Sequence, residues 1–325
     1  MASPAVDVNV SSLPSATIFA AFRIVVTAFS ALASSTATSI FDSAAKFAPA
    51  IGVPILGAIL IQAGWRWSFA LTGLISLAYF VLFWRVYKDP ADDPQLSAVE
   101  REHIEQTGSS SGVQPQTQEP ASSLLHLLAQ RKVIGLAIGF GSYNYVFYLL
   151  LAWLPSYLSD ALHIDLQRSS LYTSVPWIVA TITDLAVGGW LVDFLAQRGW
   201  NASTVRRLIL IGGTAFGLGI LGAAHARDAA HALLWISMSI GGLAAAAPVG
   251  WSLPSLIAGR NDVGKVGGIM NFSAQISGIC APILTGYLVA ARHSYAWAFG
   301  VAAAYLVLGI AAYIILLGRI ERFQR

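Results

Sequence analysis

Asp184 is the residue of this sequence whose position says most about chemistry. It interrupts the otherwise uncharged run Ser169–Val192, which Asp193 closes. If the run is a membrane-spanning helix, nine residues at about 1.5 Å each place Asp184 about 13 Å deeper in the membrane than Asp193. An ionisable group at that depth in an apolar helix is costly and marks a functional site by default. We therefore take Asp184 as a candidate proton-binding carboxyl; the alternative is a structural carboxylate held by Thr181, Thr183 or nearby arginines.

Lys46 is a second charge close to an apolar run, and Asp42 precedes it by four residues. That spacing places both side chains on one face of a helix, with the acid first, which is the favourable order for an ion pair. One interpretation is a simple pair whose ammonium group reaches the membrane surface. The other is a cation in a central cavity that faces an anionic substrate. The spacing leaves both open.

Uncharged polar side chains mark two further helix faces. Tyr143, Asn144 and Tyr148 lie in one apolar run, and Asn144 and Tyr148 are four residues apart. Asn271 and Gln275 repeat that spacing in a later run. Buried amides and phenols need hydrogen-bond partners, which either a polyhydroxy substrate or a neighbouring helix would supply.

Trp251 lies between Pro248 and Pro254, where we expect the helix to unwind locally. Its indole ring would then either line a cavity or pack against a neighbouring helix.

The elements that position these residues must be membrane helices. Of the 325 residues, 56% are hydrophobic and 11% charged, and the mean hydropathy is +0.65. A soluble domain has about 25% charged residues and could not hide so much apolar surface from water. The composition predicts an all-α, multi-pass membrane protein.

Eight runs without Asp, Glu, Lys, Arg or His reach the length that a bilayer core requires, if the run containing Asp184 is counted whole. The predicted spans are Phe47–Trp65, Trp67–Trp84, Val133–Leu162, Ser169–Val192, Leu208–Ala224, Ala232–Gly259, Val266–Ala291 and Ser294–Gly318. A weaker span over 16–35 competes with a signal peptide, although the residues before it contain Asp7 and no Lys or Arg.

Residues 89–132 form a hydrophilic linker that holds 7 of the 16 acidic residues, with a short polar helix predicted near 96–106. The predicted organisation is an unassigned N-terminus (1–37), two spans (38–88), the linker (89–132), a six-span bundle (133–318) and a tail (319–325). With the linker inside, 13 of the 19 Lys and Arg residues are cytoplasmic and four lie in external loops. We therefore predict a bacterial inner-membrane protein with a cytoplasmic C-terminus.

Several function classes are excluded. The basic residues form no stripe of the kind that binds nucleic acid. The single cysteine, Cys280, and the histidine spacing fit neither a disulfide framework nor a metal site. The sequence has no phosphate-binding loop, zinc-protease motif or serine-nucleophile motif, so we predict neither an enzyme nor a cofactor.

Four stretches of the sequence, taken together, are similar to one known family. They are IFDSAAK at 40–46 with GVP at 52–54; GWRWSF at 64–69; Gly188, Gly189 and Asp193 with Arg206 and Arg207; and GGIMNF at 267–272. They resemble, in that order, the fifth span, the sixth span, the loop signature between spans eight and nine, and the eleventh span of the major facilitator superfamily. Within it, the anion:cation symporters of sugar acids and other organic anions are the most similar family.

The resemblance implies a helical bundle with a complete C-terminal six-helix half and a partial N-terminal half. It begins near Thr38, and the family's first four spans have no recognisable counterpart in 1–37, which indicates an N-terminal truncation. It implies a monomer in the lipid bilayer that carries a small organic anion, such as a hexuronate, aldonate or aldarate, with a proton. The alternative is a truncated fragment that does not transport.

The resemblance also implies roles for individual residues. Lys46 lies in the fifth span, which lines the central cavity of related carriers, and Asn271 matches an Asn of the family. We group Tyr143, Asn144, Tyr148, Trp251 and Gln275 with them as substrate-binding candidates. Gly188 and Gly189 would let two helices approach closely. Asp193 would meet a basic loop or the positive end of a helix. With Arg206 and Arg207, these residues would hold the cytoplasmic side shut.

Overall fold

A computed structural model describes residues 34–87 and 122–322, and all regular structure in these residues is helical. The α-helices are α1 (Ser34–Ala63), α2 (Trp65–Val86), α3 (Leu124–Ala129), α4 (Arg131–Ser156), α5 (Leu166–Thr183), α6 (Val192–Gln197), α7 (Ala202–Phe216), α8 (Ile220–Ala223), α9 (Ala229–Ile257), α10 (Val263–Arg292) and α11 (Ala296–Ala312). Short π- or 3-10-helical segments extend or join them at Tyr157–Ala161, Asp184–Leu191, Gly217–Gly219, Arg260–Asp262 and Tyr313–Leu317.

Eight helices among the described residues are long and apolar enough to cross a membrane. They correspond one to one with the eight predicted spans, so the prediction of an all-α, multi-pass membrane protein is confirmed. The polar helix predicted near 96–106 lies outside the described residues. So does the weaker span over 16–35, apart from Ser34 and Ser35, which begin α1.

The first span differs most from its prediction. The uncharged run begins at Phe47, but α1 begins at Ser34 and includes Asp42 and Lys46. These two residues form a buried ion pair, so the helix crosses the apolar region without an unpaired charge. Smaller differences lie at the linker, where α3 occupies part of 89–132 and α4 begins at Arg131.

Helix packing places α1 against the six-span bundle. Within the bundle, α4 packs on α10 and α11, and α9 packs on α5 and α7. Fully buried leucines such as Leu149 and Leu243 fill the space between these helices. α1 packs against α5, the π-helical segment Asp184–Leu191 and α9, whereas α2 packs on α1 and contains no buried residue. The interface of α1 with the bundle is therefore the place where the polar residues of both parts meet.

Side-chain caps fix where three of the spans begin. Asp165, Asn201 and Asp228 each accept a hydrogen bond from the backbone N–H three residues later, at the starts of α5, α7 and α9. The bond from the His231 backbone to Asp228, which lies outside the spans, holds the pKa of that carboxyl below its usual value.

The expectation of local unwinding around Trp251 was wrong. α9 continues from Ala229 to Ile257 with Pro248 and Pro254 inside it. The hydroxyl of Ser252 donates to the carbonyl of Val249 at 2.8 Å, which adds a hydrogen bond in this stretch. Such side-chain bonds and neighbouring helices let membrane helices accommodate proline.

Candidate functional site

Three charged side chains meet where α1 packs on the segment that follows α5. Lys46 forms an ion pair with Asp42, one turn earlier in α1, and its Nζ lies 3.0 Å from Oδ2 of Asp184. Lys46 and Asp184 are fully buried, and Asp42 is 6% exposed. We call these three residues the charge triad. The candidate anion-binding lysine and the candidate proton-binding carboxyl are thus direct partners, and the Lys46 ammonium group does not reach a surface.

Asp184 is held chiefly by its ion pair with Lys46. Apart from that contact, its buried oxygens have no hydrogen-bond donor among the described residues. The hydroxyls of Thr181 and Thr183 donate instead to the carbonyls of Trp177 and Gly241, each at 2.8 Å. The alternative in which a threonine holds Asp184 is therefore excluded in this structure. The carboxylate lone pairs that Lys46 does not occupy can accept a proton.

A change of helix type positions Asp184. It begins the π-helical segment Asp184–Leu191, which joins α5 to α6 in one continuous span. π-Helical turns inside α-helices rotate the side chains that follow them about the helix axis, and they are frequent at functional sites. Here the segment packs against both α1 and α9.

Two glycines let this segment approach its neighbours. A Cβ atom on Gly188 would lie 2.7 Å from the carbonyl oxygen of Ala245 in α9. A Cβ atom on Gly189 would overlap the side chain of Ser39 in α1. Only glycine fits at these separations, so the close approach predicted for both residues is present.

Asp193 contacts the first turn of α1. Its Oδ2 accepts hydrogen bonds from the backbone N–H of Thr36 at 2.7 Å and from the Thr36 hydroxyl at 2.6 Å. The partial positive charge at a helix N-terminus stabilises a carboxylate in this position. Asp193 also interacts electrostatically with Arg206, so the structure shows both partners expected for it, the helix end and a basic residue.

The arginines of the loop signature lie on α7. Arg207 donates from Nη2 to the carbonyl of Ile314 at 3.2 Å, which ties α7 to the last span. Arg206 is half-buried one residue earlier.

A row of aromatic rings continues from the triad. The Nζ of Lys46 lies 5.8 Å from the ring centroid of Tyr143. Phe140 lies between Tyr143 and Trp251, with ring centroids 5.3 and 5.1 Å away, in a tilted and an edge-to-face arrangement respectively. On the other side, Phe147 lies 6.0 Å from Tyr143 and 5.0 Å from the buried Trp177. We call Trp251, Phe140, Tyr143, Phe147 and Trp177 the aromatic row. It brings the candidates Tyr143 and Trp251 into one chain of contacts with Lys46.

The remaining polar candidates lie along α4 and α10. Asn144 donates from Nδ2 to the carbonyl of Ala274 at 2.7 Å. The ring of Tyr148 packs against Gly278, where a Cβ atom would come within 2.7 Å of it. For these two residues the structure shows the interhelical alternative. Asn271 and Gln275 are exposed on one face of α10.

The sequence analysis did not identify several residues and contacts of this site. Phe140 and Phe147 went unnoticed, although their spacing from Tyr143, three and four residues, is the signal for a shared helix face. Thr36 had no such signal, because its partner Asp193 is 157 residues away.

Known proteins provide an independent comparison. A model of the Major Facilitator Superfamily matches residues 10–204. The chain is 37% identical over 290 residues to "Uncharacterized transporter YybO" of Bacillus subtilis (strain 168), over 89% of this chain and 66% of the relative. It is 27% identical over 281 residues to a "D-galactonate transporter" of Escherichia coli, over 84% and 65%. It is 30% identical over 261 residues to a "Hexuronate transporter" of Bacillus subtilis, over 79% and 59%. The chain thus spans about two thirds of the length of the curated relatives it matches.

The relatives are named as transporters and not as enzymes, and the eight apolar helices make the chain an integral, multi-pass membrane protein. The family model covers more than half of the 325 residues. The chain therefore belongs to the major facilitator superfamily.

Proposed function

We propose that the protein is a secondary transporter that carries a small organic anion together with a proton by alternating access. The charge triad is the observation that carries this proposal, because it places a cation and two carboxylates deep in a membrane-spanning interface. The substrate class comes from the relatives. The names of similar proteins refer to galactonate, hexuronate, sulfoacetate and galactarate or glucarate, all of them organic anions. A sugar acid is our proposed substrate.

Charge balance explains why proton and anion would move together. Lys46 carries one positive charge, and its two partners bring two negative charges, so the triad already has an excess of negative charge. A substrate carboxylate near Lys46 would add a third negative charge in a medium where such repulsion is strong. A proton on Asp184 removes one negative charge and weakens its attraction for Lys46. Lys46 can then bind the substrate carboxylate.

The substrate would extend from the triad along the bundle. Tyr143 lies beside Lys46, and the aromatic row leads from it to the partly exposed Trp251. The exposed amides of Asn271 and Gln275 are suited to bind sugar hydroxyls. Asn144 and Tyr148 enter the proposal as residues that hold α10 against α4, since their described contacts are interhelical.

The contact between Asp193 and Thr36 would act as the gate. We propose that it holds the cytoplasmic end closed. Gly188 and Gly189 allow the helices to meet, and Arg206 and Arg207 of α7 support the closed arrangement. Rocking of α1 against the six-span bundle would break it and open that end. The proposal also includes a monomer in a bacterial inner membrane. Its C-terminus would be cytoplasmic, as the distribution of Lys and Arg predicts.

Uptake into proteoliposomes tests the function. Purified protein should accumulate a labelled sugar acid from a panel of hexuronates, aldonates and aldarates when the outside is acidic, and a protonophore should abolish accumulation. The Lys46→Gln variant, reconstituted in parallel, should not accumulate it. Absence of uptake by correctly inserted wild-type protein, or uptake that follows a sodium gradient and ignores the protonophore, would contradict the proposal.

A further inference from the structure

A cleft with a cavity volume of about 500 Å³ lies between the start of α7 and the residues that follow the last span. Its polar wall includes Asn201, Arg207 and Arg319. Its apolar wall includes Leu208 and Ile211, which lie further along α7. The cleft is separate from the charge triad and shares one residue, Arg207, with the proposed gate.

Both arginines of the cleft have donors available. Arg207 makes one described hydrogen bond, from Nη2 to the carbonyl of Ile314, which leaves its other Nη hydrogens without a described partner. The exposed side chain of Arg319 has no ion pair or hydrogen bond within residues 34–87 and 122–322. The acid of the cleft, Glu321, lies 3.8 Å from Lys132 and is compensated there. The cleft therefore offers two guanidinium groups to an anion.

The position of the cleft favours a lipid over a free ion. Trp200, next to Asn201, is 58% exposed, as is typical of aromatic residues at a membrane interface. Leu208 is 62% exposed on the membrane-spanning part of α7. A free phosphate ion would use the polar wall alone, whereas a phospholipid would also cover the apolar wall. Basic pockets between helix ends at the cytoplasmic surface are suited to anionic headgroups.

We infer that this cleft binds the phosphate headgroup of an anionic phospholipid. Arg207 and Arg319 pair with the phosphate oxygens, a geometry that guanidinium groups satisfy well. An acyl chain lies along Leu208 and Ile211. The bound lipid reinforces the link between α7 and the residues after the last span, which the hydrogen bond from the Ile320 N–H to the Ser203 hydroxyl also makes.

Lipid binding to the delipidated, purified full chain tests this inference. Native mass spectrometry and thermal unfolding would be followed during titration with phosphatidylglycerol, phosphatidylcholine and inorganic phosphate. Phosphatidylglycerol should bind and stabilise the protein, and Arg319→Gln should weaken its binding by about tenfold or more, the loss expected for one charge-assisted hydrogen bond. Arg292→Gln is the matched control, since Arg292 lies at the other end of the bundle against Trp297.

Three outcomes would overturn the inference. They are equal binding of phosphatidylglycerol and phosphatidylcholine, unchanged affinity in both Arg319→Gln and Arg207→Gln, and displacement of the lipid by inorganic phosphate at equal concentration. The last would assign the cleft to a free phosphate ion. Arg319 is the first choice for substitution because its side chain makes no described bond, so the variant should fold normally.

Discussion

Lys46 is among the largest fully buried side chains of the described structure, together with Trp177 and Tyr313. A single buried ammonium group is tolerated only where opposite charge surrounds it. Asp42 and Asp184 supply that charge from two different helices. Lys46 is therefore the centre of the triad. We expect the loss of stability on replacing Lys46 to differ from the loss on replacing either carboxylate.

Replacement of Lys46 by Gln should destabilise the protein by about 3 kcal/mol, because two carboxylates then face each other without a cation. Asp184→Asn should cost clearly less, since Asp42 and Lys46 still neutralise each other. The triple variant with Gln at 46 and Asn at 42 and 184 should recover most of the stability and still fail to transport. Thermal unfolding in detergent measures the relative stabilities of these variants. An equal loss for Asp184→Asn and Lys46→Gln would show that Lys46 does not organise the triad.

Asn271 gives a second residue-scale prediction, which concerns substrate binding and not stability. Asn271→Ala should raise the KM for the sugar acid by about tenfold through the loss of hydrogen bonds to its hydroxyls. Because Asn271 is exposed, the unfolding temperature should not change. The control is Phe272→Ala, the 70% exposed neighbour. Transport kinetics decide the matter, and an unchanged KM would remove Asn271 from the substrate site.

Residue chemistry was only partly visible in the sequence. The spacing of Asp42 and Lys46 indicated an ion pair as one of two open interpretations, because four residues make about one helical turn. The link from Lys46 to Asp184 spans 138 residues of sequence and depends on how α1 packs against the bundle, which no local pattern encodes. The sequence predicted the depth of Asp184 in its span, but it did not predict that Lys46 is its partner.

At the scale of elements, the interface between α1 and the π-helical segment combines close helix packing with hydrogen bonds to the N-terminus of α1. Gly188 and Gly189 remove the side chains that would separate the helices. Asp193, at the end of the same span, then reaches two donors of Thr36. The contact is polar and local, so it can break without disturbing the apolar packing of the rest of the bundle.

Asp193→Ala should therefore open this end of the protein more often. A cysteine introduced at Ala37, in a Cys280→Ser background, should react faster with a membrane-impermeant maleimide when Asp193 is replaced. Asp165→Ala is the control, since Asp165 caps the other end of the same span. Equal labelling rates in the Asp193 variant and its parent would argue against a gate at this contact.

Spans were easier to predict than their ends. Uncharged runs located all eight helices because charges are costly in a bilayer. The same rule placed the start of α1 too late, because the buried pair of Asp42 and Lys46 cancels that cost. The two prolines of α9 predicted a break that the intact helix does not show, because neighbouring contacts make up for the missing N–H groups.

At the scale of the whole molecule, the described residues form a six-span bundle with two further spans on one side. α1 carries the triad and joins the bundle, whereas α2 touches α1 and has no buried residue. The faces of α2 are apolar along their length, with exposed side chains such as Trp84 and Phe80. In the proposed mechanism, transport therefore depends on one helix, α1, at its border with the bundle.

The whole-molecule prediction concerns topology. A fluorescent protein fused after Arg325 should fluoresce, and alkaline phosphatase fused there should be inactive, because the distribution of Lys and Arg places this end in the cytoplasm. Phosphatase inserted after His163, between the third and fourth predicted spans, should be active. The opposite pattern would reverse the assignment of the gate and of the lipid cleft to the cytoplasmic side.

The central claim is that Asp184 couples proton movement to anion movement. In proteoliposomes, Asp184→Asn should still exchange external for internal substrate, because exchange needs no net proton transfer. It should lose accumulation driven by an inward proton gradient, whereas the wild-type protein performs both. Accumulation by Asp184→Asn equal to that of the wild type, with the same dependence on external pH, would contradict the account.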